Sequence, residues 1–489
     1  IIERTSMHYC QGDETKRKDN SGSSPTMLAN FHMKLLKCIE RKEESPKHSA
    51  SSRLLDYEPA LDKMQDLIQL LQNVGNDEND AERQGLVKVL SDEKVLQSVF
   101  GIIDEQVFRI PLPPKKQDHL EGYDDDYGRD NFVYQDWKSL QVCYELLLQF
   151  LRLLAQTLES KGILKNYIDI KFASKLLERI NSEDGREREY SKLALTQVYV
   201  LLIRLRTPIR RKIAMVFHEY IQTERHNGIE YLLEMLGSII SGFVIPLKED
   251  HKKYLQHVLI PMHKVRNFER IQQPLLYCIA RFIEKEPSCA IIGIRGLLKY
   301  WPRSNIAKEI LMLQELEYFL ELSKVENFER IMDRVAIRIA KCMASDHFQV
   351  AQRTLLLWEN DSLANVLFKF RERIFPKIFV SLQKATDHWN EGVSELALCV
   401  LNMFLELEPE LFTKCIEEVK QAQLSKEASL RRRGENWELL MKSVSYERSF
   451  NATNNQGSVS SPKQERKACV KKVFRPFVVS DGKLPSITV

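Results

Sequence analysis

Hydrophobic positions recur at helical spacing along most of the chain. Over 346–358, Phe348, Ala351, Leu355 and Trp358 step by 3, 4 and 3 residues, which places them on one face of an α-helix. Asp346, with Gln349 three residues on, reads as that helix's capping box. Val393, Val400 and Phe404 repeat the stripe within 388–405. From Trp137 to about Leu440 the pattern is almost continuous. Breakers punctuate it at Gly185, Pro208, Asn227–Gly228, Gly242–Pro246, Pro261, Pro274, Pro287, Pro302, Ser345–Asp346, Pro376, Asp387 and Pro409. Most intervals run 13 to 25 residues, the length of one helix and a turn. Two such units make about 40 residues, the period of a HEAT-type repeat. One helical hairpin cannot bury such faces alone, so neighbours must stack, and an all-α, HEAT-like α-solenoid is expected.

The same pattern sets the expected domains. Residues 1–30 are polar and Ser-rich and are expected to be disordered, as is the basic tail over 446–489. Between them, 31–445 is the solenoid, interrupted by a polar linker at 40–53 and an acidic loop at 114–131 that follows "PLPP". The tail segment "KQERKACVKK" reads either as a nuclear address or as a solubilising tail. The best uncharged apolar stretch, "MLGSIISGFVIPL", falls short of the roughly 20 residues that span a bilayer. The opening segment has no apolar core behind a basic one, so no secretory signal is expected. It also begins without Met, so a truncated start is expected.

Composition narrows the function classes. Among 489 residues only 18 are Gly and 17 Pro, too few for a sandwich or a Gly-rich cofactor fold. The net charge of +4 gives no global pull toward nucleic acid or membrane, so any basic site is local. The nine cysteines contain no C-x-x-C and suit reduced, mostly buried thiols in a cytoplasmic or nuclear protein. No cofactor or metal is expected. His251, His257 and His263 are six apart and do not share a helix face, and "GIRG" (293–296) lies inside an apolar helix where close packing explains both glycines. Cys289 sits near a helix start but reads as a structural thiol.

"SEDGREREY" (182–190) is the densest cluster of acids beside arginines. Its simplest reading is a helix start, with Asp184 as N-cap and Glu187 closing the capping box. Glu183, Asp184, Glu187 and Glu189 are then expected to alternate with Arg186 and Arg188 around a wet surface. The helix is expected to run from Arg186 to Leu205, burying Tyr190, Ala194, Val198, Leu201 and Leu205, with a new helix from Thr207–Pro208. Thr196, Tyr199, Ile203 and Arg206 fall at steps of 3, 4 and 3 on a second face. Arg210, Arg211, Lys212, Lys248, His251, Lys252 and Lys253 follow, with "MLGSIISGF" between them. Together these read either as an apolar groove with a basic rim, suited to a short peptide with acidic flanks, or as two solvated basic runs.

The motifs "INSEDGREREY", "ERHNGIEYLLEMLGSIISGFVIPLKEDHK", "LLKYWPRSNIAKEI", "HFQVAQRTLLLWEND" and "DHWNEGV" resemble, in order, the B-prime regulatory subunits of protein phosphatase 2A. The likeness covers roughly 95 to 420. It implies a HEAT-like superhelix that is not itself an enzyme and that joins a scaffold subunit and a catalytic subunit into a heterotrimer. It also implies a groove that reads Leu-x-x-Ile-x-Glu motifs in client proteins. By that resemblance the groove comprises Tyr199, Arg206, Lys248 and His251, with Ile239 as an apolar wall and Met235 where relatives carry Ile. Asp124, Asp125 and Asp126 match an acidic loop that faces the other subunits, and Trp137 reads as the core residue that anchors it. A HEAT-type adaptor or transport scaffold without phosphatase is the alternative reading.

One departure stands out. Relatives have "LHRIY" where this chain has "LTQVY", so their motif-contacting His-Arg pair is Thr196 and Gln197 here. Loss of charge-assisted hydrogen bonds worth about 1.5–3 kcal/mol each, partly recovered by neutral donors, is expected to weaken acidic motifs. A net loss of about 1.4–3 kcal/mol corresponds to roughly 10- to 150-fold.

Overall fold

The computed structural model describes residues 93–108, 137–154, 164–322 and 331–454, with 65, 68, 69, 134 and 329. The expected N-terminal segment, the 40–53 linker, the acidic loop with Asp124, Asp125 and Asp126, and the chain beyond 454 lie outside the described residues. The chain divides into two compact units, 1–411 and 412–489.

The described part of the first unit is built from helices alone. They are α1 (Glu93–Gln106), α2 (Trp137–Leu154), α3 (Ile170–Arg179), α4 (Gly185–Leu201), α5 (Ile203–Thr223), α6 (Ile229–Ser241) and α7 (Glu249–Tyr254). A π-turn at Leu255–Leu259 and a 3-10 turn at Ile260–Lys264 extend α7. Then come α8 (Phe268–Lys285), α9 (Cys289–Lys299), α10 (Ile306–Leu322), α11 (Met332–Met343), α12 (Phe348–Leu355), α13 (Asp361–Lys369), α14 (Arg371–Thr386) and α15 (Glu391–Leu407). One layer stacks α2, α4, α6, α8, α10, α12 and α15 in order. The other stacks α3, α5, the α7 segment with its turns, α9, α11 and α14. Chain neighbours join the layers where α3 meets α4, α4 meets α5, α9 meets α10, α11 meets α12 and α14 meets α15, which is the arrangement of an all-α helical-repeat solenoid.

The expected stripes form the interior. Ala351, Leu355, Trp358, Val393, Val400 and Phe404 are buried, and Phe348 is half-buried. The GIRG glycines serve helix contact: a Cβ on Gly296 would lie 2.3 Å from the Ile260 side chain. Trp137 is buried, with the Arg186 guanidinium 4.3 Å above its ring and Tyr190 edge-on at 5.7 Å. Cys143, Cys278, Cys289, Cys342 and Cys415 are buried thiols outside any disulfide, and Cys399 is exposed. Burial and the Glu286 charge push the Cys289 thiol up to about 11. Among the described residues no helix is long and apolar enough to cross a membrane.

Three expectations fail on local grounds. Asp346 does not cap α12, because the helix begins two residues later behind His347; the Asp346 carboxylate pairs with Lys384 and its carbonyl accepts from the Trp389 indole. Pro208, Pro274 and Pro376 do not end helices but lie inside α5, α8 and α14. Each proline leaves only one carbonyl a turn earlier without its usual donor, a loss that a well-packed helix absorbs. The last helix, α16 (Pro409–Asn454), continues past the expected tail boundary at 446. Its residues 420–443 are exposed.

The largest correction concerns "SEDGREREY". Asp184 is the N-cap of α4, and its side chain accepts from the Arg186 amide at 3.0 Å. Glu187 does not close a capping box on a wet surface. It is fully buried, as are Asp184 and Arg188. Glu187 accepts from the Tyr144 hydroxyl at 3.3 Å and from Ser182, while the Ser191 hydroxyl shares a 2.8 Å hydrogen bond with Tyr144. Arg188 donates to the carbonyls of Ser182 and Glu183 at 3.0 and 3.1 Å. Burial raises the Asp184 carboxyl, but hydrogen bonds from Arg186 and the Tyr134 amide outweigh it and hold the group below its ordinary value. Burial and the Glu187 charge together push the Tyr144 phenol well up. The cluster is a buried polar knot that fixes where α4 starts against α2.

The next loop docks on the same place. Asn227 donates its amide to the Asn181 side chain at 2.8 Å, and Arg270 donates to the Asn227 carbonyl at 3.1 Å. Gly228 passes so close to the chain that a Cβ would sit 1.9 Å from the Ile180 carbonyl oxygen, which only glycine permits. The Gly228 amide donates to His226 Nδ1 at 3.0 Å, so that nitrogen must be unprotonated. Burial, reinforced by the charges of Arg270 and Arg188, lowers His226 from 6.5 to about 4. These contacts set the start of α6 relative to α4.

Two predictions follow from these contacts. Glu187→Ala removes a buried acceptor of the Tyr144 and Ser182 hydroxyls and costs about 1–3 kcal/mol in urea unfolding, whereas Glu189→Ala, at the solvent end of its pair with Lys192, stays within about 0.5 kcal/mol. Because His226 is depressed in the fold, the unfolded chain binds the extra proton between pH 6.5 and about 4. Acidification through that window removes at most about 3 kcal/mol from this group, and His226→Gln shows a correspondingly shallower loss. Equal slopes for wild type and variant would refute the assignment.

Candidate peptide groove and family

The expected single helix from Arg186 to Leu205 is broken at Leu202, whose φ −107° and ψ 86° leave the helical region. The break ends α4 and starts α5, so Ile203 moves to the next helix and is 74% exposed. A helix end leaves carbonyls without donors. Here the Leu202 amide reaches the Val198 carbonyl at 3.0 Å, and Arg206 folds back to donate to the carbonyls of Tyr199 and Val200, both at 3.0 Å. Arg204 reaches the other way, donating to the carbonyls of Ile168 at 3.1 Å and of Lys165. The corner is thus held by guanidinium groups that keep their charge near the surface.

Side chains gather at this corner. The Arg206 guanidinium lies 5.6 Å over the Tyr199 ring. Arg210 donates to the Tyr199 hydroxyl at 2.6 Å and to Thr207 at 3.2 Å, and stands 5.8 Å over the Phe243 ring. Phe243 stacks on His251 with ring centroids 3.8 Å apart and planes within 9°. Lys285 fixes the Phe243 backbone by donating to its carbonyl at 2.8 Å. Burial lowers the His251 pKa, and the charges of Arg210 and Lys248 lower it further against the weaker pull of Asp250. His251 Nδ1 is buried without a partner. Below them, Tyr254 presents a buried hydroxyl without a partner, and burial and the neighbouring Cys278 push its pKa far up.

Of the expected groove residues, the structure therefore unites Tyr199, Arg206 and His251, with exposed Lys248 three residues before His251 at the mouth of α7. Met235 and Ile239 are core residues of α6, only 2% and 7% exposed. Arg211, Lys212 and Lys253 are exposed without joining the cluster, and Lys252 is neutralised by Glu286 at 2.7 Å. Thr196 lies one turn before Tyr199, its hydroxyl donating to the Lys192 carbonyl at 2.7 Å. Gln197 Oε1 is buried and has no donor.

Arg210 and Phe243 belong to the expected basic rim and apolar stretch, but not to the groove residues that the resemblance implies. Arg210 sat in a basic run with Arg211 and Lys212, and only the position after Pro208 separates it from them: one face of α5 points at Tyr199. Phe243 sat at the end of an apolar stretch, and the Gly242 before it was the one signal that the chain turns there. Val244 and Ile245, next in the chain, are 81% and 62% exposed. The site is a shallow cationic surface floored by aromatic rings, with no nucleophile or paired acids.

Comparison with known proteins identifies the family. The sequence profile of the protein phosphatase 2A regulatory B subunit (B56 family) matches residues 55–444. The B' delta isoform of the 55 kDa regulatory subunit of serine/threonine protein phosphatase 2A from Arabidopsis thaliana is 38% identical over 375 residues, covering 74% of this chain and 78% of that protein. The 59 kDa B' gamma isoform of the same plant is 42% identical over 306 residues, 62% of this chain and 58% of its own. The 57 kDa B' kappa isoform of Oryza sativa subsp. japonica is 36% identical over 387 residues, 77% and 75% of the two chains. With this family profile matched over most of its length and relatives at this level of identity, the chain belongs to the B56 family of protein phosphatase 2A regulatory B subunits.

Proposed function

We propose that this chain assembles with a phosphatase 2A scaffold subunit and catalytic subunit, and selects clients through the cluster of Tyr199, Arg206, Arg210, Phe243 and His251. The observation that carries this reading is the arrangement of that cluster around the break at Leu202. Arg206 is positioned by two backbone carbonyls, Arg210 by a phenol, and His251 by a stacked ring. Pre-positioned cations lower the entropy a bound peptide must overcome. Metal ions and hydrolysis would belong to the catalytic subunit.

The Thr196–Gln197 pair then decides what the end of the motif is. The Thr196 hydroxyl has given its one proton to Lys192, and Gln197 holds an amide oxygen that is buried without a donor. A carboxylate placed there meets an acceptor rather than the two cationic donors implied for relatives. A neutral amide such as glutamine forgoes no charge-assisted bond there and so loses less than a carboxylate. This chain therefore prefers Leu-x-x-Ile-x-Gln over Leu-x-x-Ile-x-Glu.

Calorimetric titration of the purified chain with the two peptides tests this. The Gln-ended peptide is expected to bind at least as tightly as the Glu-ended one. Thr196→His with Gln197→Arg is expected to tighten the Glu-ended peptide by roughly 10- to 150-fold. Low-micromolar binding of the Glu-ended peptide that does not respond to the double substitution would overturn the specificity. Assembly is tested separately: a pulldown with purified scaffold and catalytic subunits is expected to retain both, and to retain both in Arg206→Glu. Failure of wild type to retain either would favour an adaptor without phosphatase.

A further inference from the structure

A second cationic site lies away from the peptide groove, on the outer faces of α9 and α11. Arg295 and Lys299 stand one turn apart on α9; Arg334, Arg338 and Lys341 follow one another along α11. With Leu298 and Ile337 they line a cleft of about 250 Å³. No acidic side chain lines it. No ion pair is formed by any of these five cations among the described residues. Arg338 instead lies 5.1 Å over the Trp301 ring and Lys299 lies 5.2 Å over Tyr300. The floor is apolar and open, with Ile337 46% exposed.

Like charges one turn apart on a helix repel, and here two such rows face each other across one cleft. Other arginines of the neighbouring helices do pair with acids: Arg353 with Glu317, Arg371 with Glu408, and Arg373 with Asp333. The five cations of the cleft are left uncompensated around a concave surface, where field lines converge and an anion is attracted most strongly.

We propose that this cleft binds a phosphorylated side chain of a peptide segment in a partner protein. Its size suits one phosphorylated side chain and its apolar neighbour on Leu298 and Ile337. The arginines on both walls provide the planar forks that bind phosphate oxygens in pairs. The cationic row on α11 spans only about 10 Å, too short a track for a nucleic-acid backbone. The apolar residues lie at the floor of a concavity and not on a protruding face, which disfavours insertion into a lipid surface. Such a site gives the regulatory subunit a hold on phosphorylated partners that is independent of the groove at Leu202. It deepens the phosphatase reading, but its test uses the chain alone, so either can fail without the other.

The test is fluorescence anisotropy of the full chain with a labelled phosphoserine peptide flanked by leucine and glutamate, and with its unphosphorylated twin. Vesicles of phosphatidylcholine carrying a polyphosphoinositide, and a duplex DNA, serve as competitors. The phosphopeptide is expected to bind about tenfold or more tightly than its twin, and to weaken by about tenfold or more in Arg334→Glu with Arg338→Glu. Arg295→Glu with Lys299→Glu, on the facing wall, gives the same loss, and both variants keep the wild-type melting curve and retain binding of the groove peptide. Equal affinity for the two peptides, or an unchanged affinity in both double variants, would overturn the proposal. So would displacement of the phosphopeptide by vesicles or duplex at lower concentration than by excess unlabelled phosphopeptide.

Discussion

The break at Leu202 is the constraint on which the site depends. Ending α4 there exposes backbone carbonyls that a continuous helix would have satisfied. Arg206 meets two of them, and Arg204 ties the start of α5 to the turn before α3. A guanidinium can do this and remain charged, because its donors lie in a fork with the positive charge spread over the plane. The structural need to close a helix end thus places a cation beside Tyr199. Arg210 and His251 complete the surface through the Tyr199 hydroxyl and the Phe243 ring.

The corner is held at a fixed distance from the rest of the stack by buried polar contacts. Glu187, Tyr144, Ser182 and Ser191 fix the start of α4 on α2. Asn181, Asn227 and the close passage of Gly228 past Ile180 fix α6 on the same loop. The family motif "INSEDGREREY" and the start of the one that opens "ERHNGIEY" are therefore halves of one joint. Their value is positional: they set α4, α5 and α6 so that residues from each meet at the groove.

Helical class and stacking were legible because apolar stripes such as Val393, Val400 and Phe404 report burial directly. Capping residues were partly legible: Asp184 caps α4, while Asp346 reads equally well and caps nothing. What periodicity could not show was the fate of charge. Glu187 and Glu189 are two residues apart in one acidic run, yet one is fully buried and the other pairs at the surface. That difference comes from Tyr144, 43 residues earlier in the chain. Likewise the steps of 3, 4 and 3 from Thr196 to Arg206 describe a helix that is not continuous, and nothing in the residue types marks Leu202 as its end. The resemblance to the B-prime subunits pointed to Tyr199, Arg206, Lys248 and His251, and the basic run and apolar stretch held Arg210 and Phe243, but which members of those runs meet Tyr199 and His251 shows only where α5, the turn after α6 and α7 come together.

The central claim is that the corner around Leu202 is a peptide-binding surface whose arginines are held ready by backbone carbonyls. Hydrogen exchange of the full chain, with and without saturating Leu-x-x-Ile-x-Gln peptide, tests it most directly. The account predicts slower exchange at the amides of Leu202 and Leu205 and through the turn and helix that carry Phe243 and His251, with α9 and α11 unchanged. Bound peptide that leaves those amides at their free rate, or that protects another pair of helices instead, would contradict it.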